Sequence, residues 1–85
     1  MKIEKKIQSW SFDKILSGDK TFELRLADWE CNPGDILVLR EIDEKRNYTG
    51  RVVEKEVTYV LKTNEVNLFP KEDVEKFGYQ IISFK

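Results

Sequence analysis

Residues 21–26 alternate strictly between apolar and polar side chains, and this period of two predicts a β-strand with two unlike faces. The two faces carry Phe22, Leu24 and Leu26 on one side and Thr21, Glu23 and Arg25 on the other. This stretch is the clearest strand signal in the chain.

The preceding residues, 9–18, follow the period of a helix. The apolar positions of this stretch, spaced i, i+3 and i+4, are Phe12, Ile15 and Leu16. We expect Ser9 or Ser11 to cap the first turn, and Gly18 to take the left-handed conformation after the last turn. The pattern therefore predicts a helix of about two turns.

The remaining patterns complete the set of elements. Further strands are predicted at 3–8, 36–39, 51–61 and 79–84, a turn at 32–35, a hairpin loop at 43–50, a connection at 63–69 and a short helix at 70–78. About five strands with one or two short helices predict an α+β fold, namely a small closed or half-closed barrel. Residues 1–85 are expected to form a single domain.

The long strand at 51–61 carries a break in its apolar side. The residues expected to share that side are Val53, Val57, Tyr59 and Leu61. Lys55 interrupts them, which indicates a bulge or the rim of a barrel.

Composition excludes several kinds of site. The chain has no histidine and one cysteine, so the common zinc sites, an internal disulfide and histidine-dependent nucleophilic catalysis are not expected. We expect no metal and no cofactor, and we expect Cys31 to be an ordinary thiol near the surface. The net charge of −1 argues against a broad basic face for duplex nucleic acid, so any nucleic-acid site must be a local patch or pocket. The sequence lacks a membrane-spanning apolar run and an apolar secretion signal, which predicts a cytoplasmic location.

Four stretches in register carry a family resemblance. They are residues 15–25, 33–41, 48–51 and 57–61. In this order they resemble the short stand-alone branch of the ASCH (activating signal cointegrator homology) family, over roughly residues 5–61. The resemblance implies a PUA-like β-barrel that recognises RNA or a nucleotide in a cleft between the barrel and the first helix.

The resemblance also implies a ligand site. Its residues would be Lys6, Lys20, Thr21, Glu23 and Arg25. An ammonium, a hydroxyl, a carboxylate and a guanidinium within six residues supply both donors and acceptors to a base edge. The alternatives remain open that Lys20 is a solvated lysine beside a helix end, and that Glu23 and Arg25 form an ion pair at the rim.

Two other functions stay open. Some small ASCH relatives resemble amidohydrolases that remove an acyl group from N4-acylated cytidine, and Lys20 and Glu23 would then be the candidate catalytic residues. A protein-interaction or regulatory domain is the third hypothesis, and the oligomeric state is open. Among the aromatic residues, Trp10 is expected in the core or against the helix, and the role of Trp29 is open.

Overall fold

The computed structural model describes residues 1–65, 70–76 and 78–85 of the chain. Its elements are β1 (Lys2–Gln8), α1 (Ser9–Ser17), β2 (Phe22–Leu26), β3 (Ile36–Ile42), β4 (Tyr48–Lys62), a 3₁₀ turn (Thr63–Glu65), α2 (Lys71–Val74) and β5 (Tyr79–Phe84). The expected small α+β fold is confirmed at this level. The end of the predicted connection, 66–69, and residue 77 of the predicted short helix lie outside the described residues.

The five strands form one mixed sheet in the order β1-β3-β4-β5-β2. β1 runs parallel to β3, and the other neighbours are antiparallel. Among the described residues no ladder joins β1 to β2, the two edge strands. The guanidinium of Arg25 instead spans the two edges, because its Nη2 donates to the backbone carbonyl of Lys6 at 2.7 Å.

β4 lies in the middle of the sheet and changes its partner along its length. Residues 48–56 pair with β3, and residues 57–62 pair with β5. The pairing moves from Val57–Phe84 to Tyr59–Ser83, so one extra residue, Thr58, lies on β4 at that point. Before the bulge, Val53 and Val57 point toward the core. The extra residue shifts the alternation, so that Val60 points toward the core after the bulge. The expected bulge therefore lies at Thr58 and not at Lys55, and the prediction that Tyr59 and Leu61 share the side of Val57 is wrong.

The β3–β4 hairpin is tighter than predicted. The backbone N–H of Asp43 donates to the carbonyl of Asn47, and the Asp43 carboxylate accepts from the backbone N–H groups of Lys45 and Asn47. These bonds close the turn within 43–47, so β4 begins at Tyr48 and not near residue 51. Arg46 at the turn has a positive φ of 67°.

α1 ends as predicted but begins differently. Gly18 takes the left-handed conformation with φ 85°, and its N–H donates to the carbonyl of Ile15. Gln8 is the N-cap and gives no side-chain cap, so the expectation of a serine cap is wrong. Phe12 and Ile15 are buried, whereas Leu16 is about half exposed.

The core lies between α1 and the inner face of the sheet. Its buried residues are Ile7, Phe12, Ile15, Cys31, Leu37, Leu39, Val57, Ile82 and Phe84. Cys31 is thus part of the core, which corrects the expectation of a thiol near the surface. Trp29 packs against this core, whereas Trp10 is 68% exposed, so the prediction that Trp10 packs in the core or against the helix is wrong.

The apolar row of β2 faces outward. Phe22, Leu24 and Leu26 are each about half exposed, whereas Glu23 on the opposite face is only 4% exposed. The reason is register: Glu23 and Arg25 pair with Ile82 and Gln80 of β5, whose side chains are buried. The alternation of β2 is therefore confirmed, and it is the polar face that turns inward.

Among the described residues, no helix is both long enough and apolar enough to cross a membrane.

Candidate functional site

A cleft of about 580 Å³ opens between the start of α1 and the edge strands β1 and β2. The residues that line it are Lys6, Ile7, Gln8, Trp10, Ser11, Lys20, Phe22, Glu23, Leu24, Arg25, Ile42 and Arg46. The volume is in the range of small-molecule sites, which is about 300–1,000 Å³. The cleft contains four of the five residues predicted to bind a ligand.

Glu23 lies at the centre of the polar residues of this cleft and pairs with two of its cations. Its carboxylate accepts from Lys20 Nζ at 2.9 Å through one oxygen and from Arg25 Nε at 2.8 Å through the other. A carboxylate with so little exposure needs such partners, because an unpaired buried charge is costly. Glu23 therefore orients the two cations that flank it.

Lys20 is brought to Glu23 by the turn that follows α1. The backbone N–H of Lys20 donates to the carbonyl of Lys14, which folds the chain back beneath the helix. The ammonium then contacts the hydroxyl of Ser11 as well as the Glu23 carboxylate. Ser11 is buried, so this contact ties the inner face of α1 to the start of β2.

Arg25 joins the two edges of the sheet. Its guanidinium donates to Glu23 on its own strand and to the Lys6 carbonyl on β1. Its side chain is a quarter exposed and lines the cleft.

Aromatic rings stand at the mouth of the cleft. The Lys20 ammonium is 5.7 Å from the centroid of Trp10 and 5.4 Å from the centroid of Phe22. Trp10 is exposed yet held in place, because its indole N–H donates to the side-chain oxygen of Gln8 at 2.6 Å. An exposed, oriented indole is a suitable surface for stacking a flat ring.

The two remaining predicted residues differ in placement. Lys6 lines the cleft, and its ammonium lies 5.7 Å from the Tyr48 ring. Thr21 is exposed and is not among the lining residues, and its carbonyl accepts from the N–H of Phe84. The structure thus brings Lys6, Lys20, Glu23 and Arg25 together and leaves Thr21 beside them.

Sequence reasoning missed several lining residues. The sequence predicts Ser11 as a possible helix cap and Trp10 in the core or against the helix, and it places Phe22 only on the apolar face of β2. The sequence did contain a signal for Trp10. At helical spacing it lies off the face that carries Phe12 and Ile15, and these two residues are the ones buried. Arg46 lies more than twenty residues from the other polar lining residues, and only the hairpin brings it to them.

A second polar network lies on the other side of α1. Arg51 donates to both oxygens of the buried Glu41 and also to Asp13 on the helix. The hydrogen bonds from Arg51, and then the one from Thr49, lower the pKa of Glu41 to about 2. The same carboxylates raise the pKa of the Arg51 guanidinium. This network clamps α1 onto β3 and β4, which fixes the helix that carries Trp10 and Ser11.

No group of three or more metal-ligating side chains occurs within residues 1–65, 70–76 and 78–85. The cleft presents ammonium, guanidinium, carboxylate, hydroxyl and aromatic groups.

Comparison with protein families shows which family the chain belongs to. The family model "Domain of unknown function (DUF3850)" matches residues 3–74, so the chain belongs to this family. The matched range includes α1, β2 and every residue that lines the cleft. A search of curated proteins found no match.

Proposed function

For this member of the DUF3850 family, we propose binding of RNA or a nucleotide in the cleft between α1 and the edge strands. The observation that carries the proposal is the arrangement at Lys20. Its ammonium lies close to two accessible aromatic rings and above a buried carboxylate. A nucleobase needs both a stacking surface and groups that read its polar edge.

The proposed division of roles follows from the contacts. Trp10 and Phe22 stack on the base, and Lys20 and Arg25 donate to its acceptor atoms or to a phosphate. Glu23 already accepts from both cations, so its first role is to position them. The proposal retains the ASCH resemblance and a PUA-like closure of the sheet, which the bridge from Arg25 to Lys6 supports.

The experiment is a fluorescence titration that follows the two tryptophans. Wild type is titrated with nucleosides, nucleotides and short single-stranded RNA. Trp10→Ala removes the proposed stacking surface without disturbing the core, because Trp10 is largely exposed. We expect at least about fivefold weaker binding by Trp10→Ala, since base stacking contributes about 1–3 kcal/mol per base. Calorimetry measures this affinity, because the substitution removes one of the two fluorophores.

Two controls complete the test. Lys20→Ala should abolish binding, whereas Lys14→Ala, a cation of the same helix region outside the cleft, should leave it unchanged. Trp29→Phe should preserve the fluorescence response to ligand, because Trp29 does not line the cleft. Full affinity in both Trp10→Ala and Lys20→Ala would contradict the proposal.

A second candidate function is hydrolysis of N4-acylated cytidine. The observation that favours it is the contact of Lys20 with both Ser11 and Glu23, which places a proton donor and a hydroxyl in a cleft. Water would add to the acyl carbonyl, the C–N bond would break, and the amine of cytidine would leave with a proton. A panel of N4-acylated cytidines tests this candidate by release of the carboxylic acid, and intact substrates throughout the panel would exclude it.

A further inference from the structure

Arg46 stands where the cleft meets a second cavity. It lines the cleft described above and also an adjoining cavity of about 560 Å³. The two cavities share Gln8, Trp10, Ile42 and Arg46. The β3–β4 hairpin thus carries a cation to the border between them.

The backbone at Arg46 is unusual for its residue type. Its φ of 67° makes it the one non-glycine residue with positive φ in the described part of the chain. Glycine or asparagine adopts this conformation more readily. An arginine held in a disfavoured conformation at the border of a cleft suggests a role for its side chain.

The cleft is lined by more cationic side chains than are paired with a carboxylate. Four cations line it against one carboxylate, Glu23, which pairs with Lys20 and Arg25. Among the described residues, the ammonium of Lys6 and the guanidinium of Arg46 form no hydrogen bond or ion pair. The Lys6 ammonium lies 5.7 Å from the centroid of the Tyr48 ring. Two cations are therefore free to bind an anionic group at the rim.

The adjoining cavity carries acidic side chains. Asp43 and Glu44 line it together with Arg46, so acidic side chains lie directly beyond the arginine. A phosphate that binds Arg46 from the cleft side is favoured, whereas a further phosphate placed in the adjoining cavity would meet two carboxylates. The site is suited to one phosphate and not to a continuous phosphodiester track.

On the basis of the proposed function, we propose that the ligand is a phosphorylated mononucleotide unit whose phosphate binds Arg46 and Lys6. Its base then stacks beside Trp10 and Phe22, and Lys20 and Arg25 contact the base edge. Arginine is well suited to this role because its guanidinium donates two parallel hydrogen bonds to phosphate oxygens. A free nucleoside monophosphate and a phosphorylated RNA end carry the same chemistry.

The test compares adenosine and uridine with their 5′-monophosphates by calorimetry at low salt. We expect the monophosphate of the preferred base to bind at least tenfold more tightly than its nucleoside. Arg46→Gln keeps the β-carbon and the backbone preference but removes the charge. We expect this variant to lose most of the phosphate gain while its affinity for the nucleoside is unchanged. Lys45→Gln, on the same turn but outside both cavities, is the matched control and should behave as wild type.

The outcomes separate this inference from the proposed function. Absence of a phosphate gain for both the free monophosphate and the 5′-phosphorylated hexanucleotide, or a gain that persists in Arg46→Gln, would overturn the phosphate site and leave base binding intact. Absence of binding to every ligand would overturn both. A 5′-phosphorylated hexanucleotide should bind within about tenfold of the mononucleotide, and a much tighter hexanucleotide would show that neighbouring phosphates bind too. A matching result with the hexanucleotide, but not with the free monophosphate, would identify the RNA end as the source of the phosphate and support the site.

Discussion

The Lys20 ammonium lies 2.9 Å from a carboxylate oxygen of Glu23, and the Glu23 side chain is buried between this ammonium and the Arg25 guanidinium. Because Glu23 is only 4% exposed, loss of either cation would leave its carboxylate poorly compensated. The ion pairs therefore join three parts of the fold: the turn after α1, the edge strand β2 and, through Arg25, the carbonyl of Lys6 on β1. Stability and binding are expected to depend on the same few residues.

Glu23→Gln is expected to lower the free energy of unfolding by roughly 1–3 kcal/mol, because both cations lose a charged hydrogen-bond partner. Urea unfolding followed by circular dichroism measures the change. The matched control is Glu54→Gln, which removes the exposed pair with Lys2 and should cost about 1 kcal/mol or less. Equal effects of the two substitutions would show that the Glu23 pairs are as weak as a surface pair.

The Glu41 carboxylate should make the free energy of unfolding depend on pH in the acid range. Its pKa is about 2 in the folded protein against an ordinary value of 4.5, so folding favours its charged form. The stabilisation is then fully present above about pH 4.5 and is lost as the pH falls from there towards 2. Urea midpoints at pH 7, 5, 4 and 3 measure this loss. In Glu41→Gln the midpoint should fall less steeply below pH 5, and an identical slope in both proteins would contradict the assignment.

The Cys31 thiol should react slowly in the native protein. It is 2% exposed, and burial raises its pKa, so both access and the thiolate fraction are reduced. We expect modification by a thiol reagent at pH 8 to be at least about tenfold slower than in the guanidinium-unfolded protein, where an ordinary thiol has a pKa of about 8.5. Similar rates in the two states would place Cys31 at the surface.

The outward apolar row of β2 should tolerate polar substitution. Leu24 is 57% exposed, so Leu24→Ser should change the free energy of unfolding by no more than about 0.5 kcal/mol. Leu39→Ala, at a fully buried position, should cost roughly 2–5 kcal/mol in the same urea assay. A large loss for Leu24→Ser that depends on protein concentration would show instead that a second molecule covers this face, as the protein-interaction hypothesis requires.

Two glycines with positive φ should respond differently to alanine. A β-carbon at Gly78 would lie 2.9 Å from the Cβ of Asn64, whereas the space around Gly18 is open. Gly18→Ala therefore carries mainly the conformational cost of a left-handed alanine, about 1–2 kcal/mol. Gly78→Ala should cost more, because Asn64 must also move. Thermal unfolding compares the two variants, and a smaller effect at Gly78 would contradict the close approach.

Local patterns were sufficient for the type and order of the secondary structure. The strict alternation at 21–26 predicted β2, and the spacing of Phe12 and Ile15 with Gly18 behind them predicted α1 and its end. The candidate residues Lys20, Glu23 and Arg25 were implied by the family resemblance and not by periodicity; they belong to one short stretch and lie together in the cleft. Such features depend on neighbours in sequence, whose geometry the backbone period determines.

Local patterns failed where the decision depended on distant strands. Whether Phe22 or Glu23 turns inward depends on the register of β2 against β5, more than fifty residues away. The position of the bulge at Thr58 depends on β4 changing partners from β3 to β5. Neither the register of β2 nor the position of the bulge can be recognised from the residues that lie next to it in the sequence.

The sequence by itself determined the elements of this protein, the absence of histidine chemistry and the cluster of charged residues after α1. The tertiary structure alone decided that Glu23 is buried, that Cys31 belongs to the core and that Trp10 and Arg46 stand at one cleft. The physical reason is that periodicity specifies which residues share a face, whereas burial depends on which face another part of the chain covers.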